Sequence, residues 1–157
     1  MKSTISLSSP TWTVSDLRDL ASEAFQAGDD AQAALVAAEL RQRGEEVEAE
    51  DIERNLALRK TAEALRAEGE WAHGGNVAGT AREWFEAGFA PEEVREWLSA
   101  RTFRADAAAD LRDLGITPEQ ASAEIEVELG GYRDAVGYAV SNGDMLPANA
   151  LRAIRGL

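Results

Sequence analysis

The chain has 157 residues, enough for one domain or two small helical lobes. It carries 29 acids against 16 bases, a formal charge of −13 shared by both halves, and such a field repels nucleic acid and anionic membranes while favouring a basic partner. There is no cysteine, which excludes disulfides, cysteine-based zinc sites and thiol catalysis.

Residues 1–10 are Ser-rich with one Lys and read as a disordered or extended lead. They lack the apolar stretch of a secretory signal, and no window approaches the ~18 apolar residues of a membrane span, so a cytoplasmic protein is expected. The first helix is predicted from Trp12 to Phe25. Thr13 serves as N-cap, Asp16 stands three residues on as in a capping box, and Trp12 and Leu17 are placed for a hydrophobic staple. Leu17, Leu20, Ala21, Ala24 and Phe25 form its apolar stripe. Gly28 stops it, and Asp29 or Asp30 caps a second helix running to about Arg43. The short turn predicts an antiparallel hairpin.

A longer helix is predicted over Glu45 to Glu68. Its start holds Glu45, Glu46, Glu48, Glu50, Asp51 and Glu53 with no base among residues 45–53, a placement that suits the helix macrodipole. Residues 69–79, GEWAHGGNVAG, read as a glycine-rich connector between an N-terminal helical part (11–68) and a C-terminal array of short helices (80–157).

Within that array the sequence repeats. Trp84, Trp97 and Leu111 begin three units, each with an apolar residue at a turn (Phe89, Phe103, Ile116) and a small apolar residue five positions later (Val94, Ala108, Ala121). Pro91 and Pro118 suit a first helical position. Thr117 and Gln120 form a capping box, which Ala90 forfeits in the first unit. Helices this short must stack on neighbours. Residues 123–129, AEIEVEL, alternate as a strand would. They are read as helix, because Ala121, Ile125 and Leu129 keep helical spacing and no second strand is evident. Tyr132 to Val140 and Pro147 to Ile154 complete the helices.

The chemistry-bearing motifs are few. Glu70-Trp71-Ala72-His73 matches the Glu-x-x-His of di-iron bundles, but those need two such motifs, and the chain has a single histidine. No phosphate-binding glycine signature occurs. One histidine without cysteine leaves a nucleophile–base–orienter set hard to assemble, so no catalytic residue, metal or cofactor is assigned. The acidic run has two readings: a solvated helix face, or a row of carboxylates mimicking backbone phosphates. DNA places a charge every ~1.7 Å of axis, and a helix rising ~1.5 Å per residue approaches that density. Glu124, Glu126 and Glu128 would extend the row.

Residues 84–94, WFEAGFAPEEV, resemble the W-x-x-A-G-F-x-P-E-E-A helical repeats found in many bacterial, plasmid and phage proteins. Residues 114–121, LGITPEQA, match less fully. The resemblance spans about a quarter of the chain and implies a helical repeat architecture. In size, acidity and lack of cysteine the chain also resembles inhibitors that phages and mobile elements direct against host defence, anti-CRISPR proteins included. The expectation is an all-α, non-enzymatic protein of about seven to nine helices. Its acids would occupy a basic surface of a protein or ribonucleoprotein complex, without direct nucleic-acid or membrane binding. The alternative is a helical adaptor using apolar grooves between helices.

Overall fold

A computed structural model of the chain describes Leu7 and residues 11–157. The expected lead, Leu7 apart, lies outside the described residues. The fold is all-α, with ten helices and one small two-stranded sheet among the described residues; two of the helices are single turns. The chain divides into two compact units, Met1–Ala57 and Leu58–Leu157.

The first unit contains α1 (Val14–Ala27), α2 (Asp30–Gln42) and the N-terminal half of α3 (Glu46–Glu68). Helix α1 starts as its sequence requires. The Asp16 N–H donates to Thr13 Oγ1 at 3.1 Å, and the Thr13 N–H donates to the Asp16 carboxylate at 2.9 Å. The Thr13 N–H, and after it the Thr13 hydroxyl, hold the Asp16 carboxyl below its usual range. Two residues join α1 to α2, and the helices pack on each other through Leu17, Ala21 and Ala24 against Ala33, Val36, Ala37 and Leu40. Alanine at so many contacts lets the axes approach closely. Ala49, Ile52 and Leu56 of α3 complete this core. The Arg43 guanidinium binds Glu39 at 2.8 Å and donates to the Leu7 carbonyl at 3.1 Å and to the Trp12 carbonyl, tying the approach to α1 onto the end of α2.

The second unit contains the rest of α3, then α4 (Glu70–His73), α5 (Val77–Glu86), α6 (Pro91–Ser99), α7 (Ala105–Asp113), α8 (Pro118–Ala121), β1 (Glu124–Val127), β2 (Tyr132–Ala135), α9 (Val136–Ser141) and α10 (Pro147–Arg155). The glycine-rich stretch 69–79 holds α4 and the first turn of α5, and Ala72 is buried in the unit's core. Trp84, Phe89, Val94, Trp97, Leu98, Leu111 and Ile116 are buried together there. Trp84 and Phe89 meet edge to face at 5.1 Å, and Phe89 and Trp97 at 6.3 Å.

The repeat is visible as three matching turns. Phe89, Thr102 and Ile116 each donate a backbone N–H five residues back, to Trp84, Trp97 and Leu111. The residue before each has a positive φ: Gly88 at 84°, Arg101 at 60° and Gly115 at 77°. This corrects the expected register. Thr102, fully buried, occupies the place of Phe89 and Ile116 at the turn, and Phe103 is one extra residue before the next helix. Thr102 also fits a notch beside α9, where a Cβ on Gly137 would overlap Thr102 Oγ1 and lie 3.2 Å from the Ala100 carbonyl.

A second correction concerns residues 123–129. Four of them, Glu124–Val127, form β1, paired antiparallel with β2, so that Glu124 faces Ala135, Ile125 faces Asp134, Glu126 faces Arg133 and Val127 faces Tyr132. The helix begun at Pro118 ends after one turn, capped by the Thr117–Gln120 box. The alternation of Ile125 and Val127 with glutamates then buries one side of the strand. Gly130-Gly131 closes the hairpin, with Gly131 at φ 65°. Tyr132–Ala135, read as helix from sequence, is the partner strand, and helix resumes only at Val136.

Candidate partner-binding surface

The nine acids singled out by sequence fall into two groups, one in each unit. In the first, Glu46, Glu48, Glu50, Asp51 and Glu53 lie on α3, and Glu45 precedes it. The stripe Ala49-Ile52-Leu56 faces the core, which places the acids on the flanks and the outer side. On one flank, Arg41 of α2 binds Glu53 at 2.7 Å and also Glu46. On the other, Arg18 of α1 binds Glu48. Hydrogen bonding to its own backbone, then to Arg18, holds the Glu48 carboxyl below its usual range. The Glu53 hydrogen bond and the charge of Glu46 raise the Arg41 pKa. Three of the six acids are therefore fasteners within the unit. Glu50 and Asp51 are exposed on the outer side, and Glu45 is half-buried.

In the second group, Glu124 and Glu126 project from the exposed side of β1, with Ile125 and Val127 buried opposite, and Glu128 follows, also exposed. Successive acids on one side of a strand stand roughly 7 Å apart. Arg133 on β2 approaches Glu124 at 3.7 Å. The hairpin is locked at both ends. Near its base, Asp134 takes a two-pronged bond from Arg101, at 2.8 and 3.0 Å, and accepts the Ala135 N–H at 2.7 Å. Burial pushes the Asp134 carboxyl up, yet these Arg101 and Ala135 hydrogen bonds outweigh it and leave the carboxyl below its usual range. Near its tip, the Tyr132 hydroxyl donates to Asp144 at 2.7 Å. Burial, then that bond, pushes the phenol up to about 12.

Sequence reading missed the cluster around Arg101. Its guanidinium lies 4.8 Å from the Tyr138 ring centre and 5.4 Å from that of Trp71. Phe103 bridges the same two rings, at 5.8 and 6.1 Å. The signal was present in the repeat: Gly88 and Gly115 hold the left-handed turn position where the middle unit has Arg101, and Phe103 is the extra residue. Both departures from the repeat build this cluster.

His73 stands in α4, where its Nδ1 accepts the Gly75 N–H at 3.0 Å. Among the described residues no group of three or more acids or histidines is arranged to hold a metal, and no helix is long and apolar enough to cross a membrane. Compared with known proteins, the chain matches no family model, no curated protein and no solved structure.

Proposed function

We propose that the chain works without catalysis, by occupying a basic, nucleic-acid-binding surface of a protein or ribonucleoprotein complex. The manner is that of the phage and mobile-element inhibitors to which anti-CRISPR proteins belong. The observation that carries this reading is the column Glu124-Glu126-Glu128. It is presented on a strand whose other side is buried and whose hairpin is pinned by Arg101–Asp134 and Tyr132–Asp144. A hairpin held in place loses little backbone freedom on binding, so the acids it carries meet a partner as a fixed row. Glu50 and Asp51 on α3 are a second, smaller acidic face. Glu46, Glu48 and Glu53 contribute less, because arginines of their own unit already hold them.

The test is a plaque assay in strains that carry DNA-targeting CRISPR effectors of different types. The wild-type chain should restore plaquing in at least one strain. The variant carrying Glu124→Gln, Glu126→Gln and Glu128→Gln should restore it less, and the purified pair should bind more weakly as salt rises. Undiminished interference in every strain removes the anti-CRISPR reading. A helical adaptor is the second reading, favoured by Leu35 on α2 and Val47 on α3, which are 58% and 68% exposed. Salt-tolerant binding lost in Leu35→Ser or Val47→Ser would select it.

A further inference from the structure

The unpaired side of β1 combines three features, and an acidic surface alone needs only the last of them. The first is free backbone. The Val136 N–H donates to the Ala123 carbonyl at 3.0 Å, one step beyond the Glu124–Ala135 pair. Antiparallel pairs alternate between bonded and non-bonded, so Ile125–Asp134 and Val127–Tyr132 are the bonded pairs of the hairpin. The N–H and C=O groups of Glu124 and Glu126 therefore point away from β2, and nothing among the described residues takes them.

The second feature is a groove. Residues 125–129 form one wall of an open depression of about 800 Å³, and residues 143–146 with Asn149 and Ala153 of α10 form the other. No residue of β2 lines it, which places it on the side of β1 away from the pairing. Its apolar surface includes Val127, Leu129, Met145 and Leu146, and two of these are conspicuously bare: Leu129 is 77% exposed and Leu146 68%. The third feature is charge. Glu126, Glu128 and Asp144 stand on the same groove, and no base lines it.

We propose that this edge is a strand-addition site for an extended segment of a partner protein in which Lys or Arg alternates with apolar residues. A third strand laid along β1 would meet the free groups of Glu124 and Glu126. Its side chains alternate, so one set continues the buried side of β1 into the groove, beside Val127 and Leu146. The other set lies next to the column Glu124-Glu126-Glu128, where basic residues form opposite-charge cross-strand pairs. The edge is short, with room for four or five residues. The proposal rests on the reading that these acids face a basic partner, and it adds backbone pairing and an apolar floor to it.

The probe is a capped heptapeptide alternating lysine and valine, titrated against the full chain by fluorescence anisotropy. Two variants separate backbone from charge. Glu126→Gln removes the charge and keeps the N–H. Glu126→Pro removes both, and an outward-facing position on an edge strand tolerates the ring. The expected result is a modest weakening for the first and a further roughly tenfold loss for the second, the scale of one backbone hydrogen bond. In the wild-type chain, the Glu124 and Glu126 amides should become protected from hydrogen exchange when peptide is added. That measurement decides the question even where the proline variant folds poorly. Equal affinity of a folded Glu126→Pro and Glu126→Gln, no added protection at these amides, or no binding at all overturns strand addition. Charge-dependent binding without protection leaves the acidic reading standing and removes this one. Protection that survives neutralising all three glutamates does the reverse.

Discussion

Arg101 grips Asp134 with two prongs of its guanidinium while its own backbone sits at φ 60°, the single positive-φ residue other than glycine among the described residues. A side chain in that conformation costs about 1 kcal/mol, which glycine avoids. Arg101→Ala should lose the ion pair and the stacking on Trp71 and Tyr138 while keeping the strained backbone. Arg101→Gly should lose the same contacts and relieve it. The glycine variant is expected to be the more stable of the two by about 1 kcal/mol in urea unfolding. Equal stability would mean that the turn carries no such cost.

The two locks of the hairpin open at opposite ends of the pH scale. Asp134 has a lowered folded-state pKa, so its stabilisation is present above the unfolded value near ~3.9 and is lost as pH falls through the lower folded value. Tyr132 has a raised one, about 12, so its stabilisation is intact below the unfolded value near ~10 and fades as pH climbs from there towards the folded value. Asp134→Asn should flatten the acid limb of a stability–pH curve relative to wild type, and Tyr132→Phe the alkaline limb. An alkaline limb unchanged in Tyr132→Phe would assign that loss to other groups.

Aromatic truncation should divide the repeat. Trp97 is 3% exposed in the core of its unit and packs edge to face on Phe89, so Trp97→Ala should cost ~3–5 kcal/mol and lower Tm sharply. Phe103 is half-buried against Trp71 and Tyr138, and Phe103→Ala should cost distinctly less. Thermal melts of the two variants check the order. A Trp97→Ala chain that melts like wild type yet loses its partner would make Trp97 part of the interface.

On α3, neutralisation should have position-dependent effects. Glu50→Gln with Asp51→Asn removes two outward charges and should leave helicity and Tm essentially unchanged. Glu46→Gln with Glu53→Gln leaves Arg41 without its two carboxylates, and should lower Tm more than the outer pair does. Circular dichroism melts of both double variants measure the difference. A larger drop for the outer pair would contradict the fastening role of Arg41.

Local chemistry was legible wherever a few neighbouring residues decide it. The Thr13–Asp16 and Thr117–Gln120 boxes, and the burial of Trp84 and Trp97, follow from spacing alone. The hairpin was not legible, because Tyr132–Ala135 holds only four residues and runs straight into α9. Ile125 and Leu129 also satisfy helical spacing. What decides for strand is pairing, a contact between segments that a one-dimensional period does not record. At the candidate surface, sequence supplied all nine acids. It did not reveal that Arg18 and Arg41, 30 and 12 residues away from Glu48 and Glu53, already hold some of them. Arg101 and Phe103 are the two departures of the middle turn from its neighbours, and what they build depends on Trp71, Asp134 and Tyr138, which are remote in the chain.

The notch between Thr102 and Gly137 sets a rule of joint inheritance. Any side chain at 137 must claim the space of Thr102 Oγ1 and press inside van der Waals distance of Thr102 Cβ, 3.1 Å away. Gly137→Ala alone should therefore be rejected, while Thr102→Ala beside it lifts the overlap with the hydroxyl and leaves two tight contacts, to the 102 Cβ and to the Ala100 carbonyl. Across a library of shuffled or drifting copies, a side chain at 137 should appear only where position 102 has already lost its hydroxyl. Thirty-five places apart in the chain, they would behave as a single letter of its alphabet, and a search for distant kin could use that pairing where overall similarity has faded.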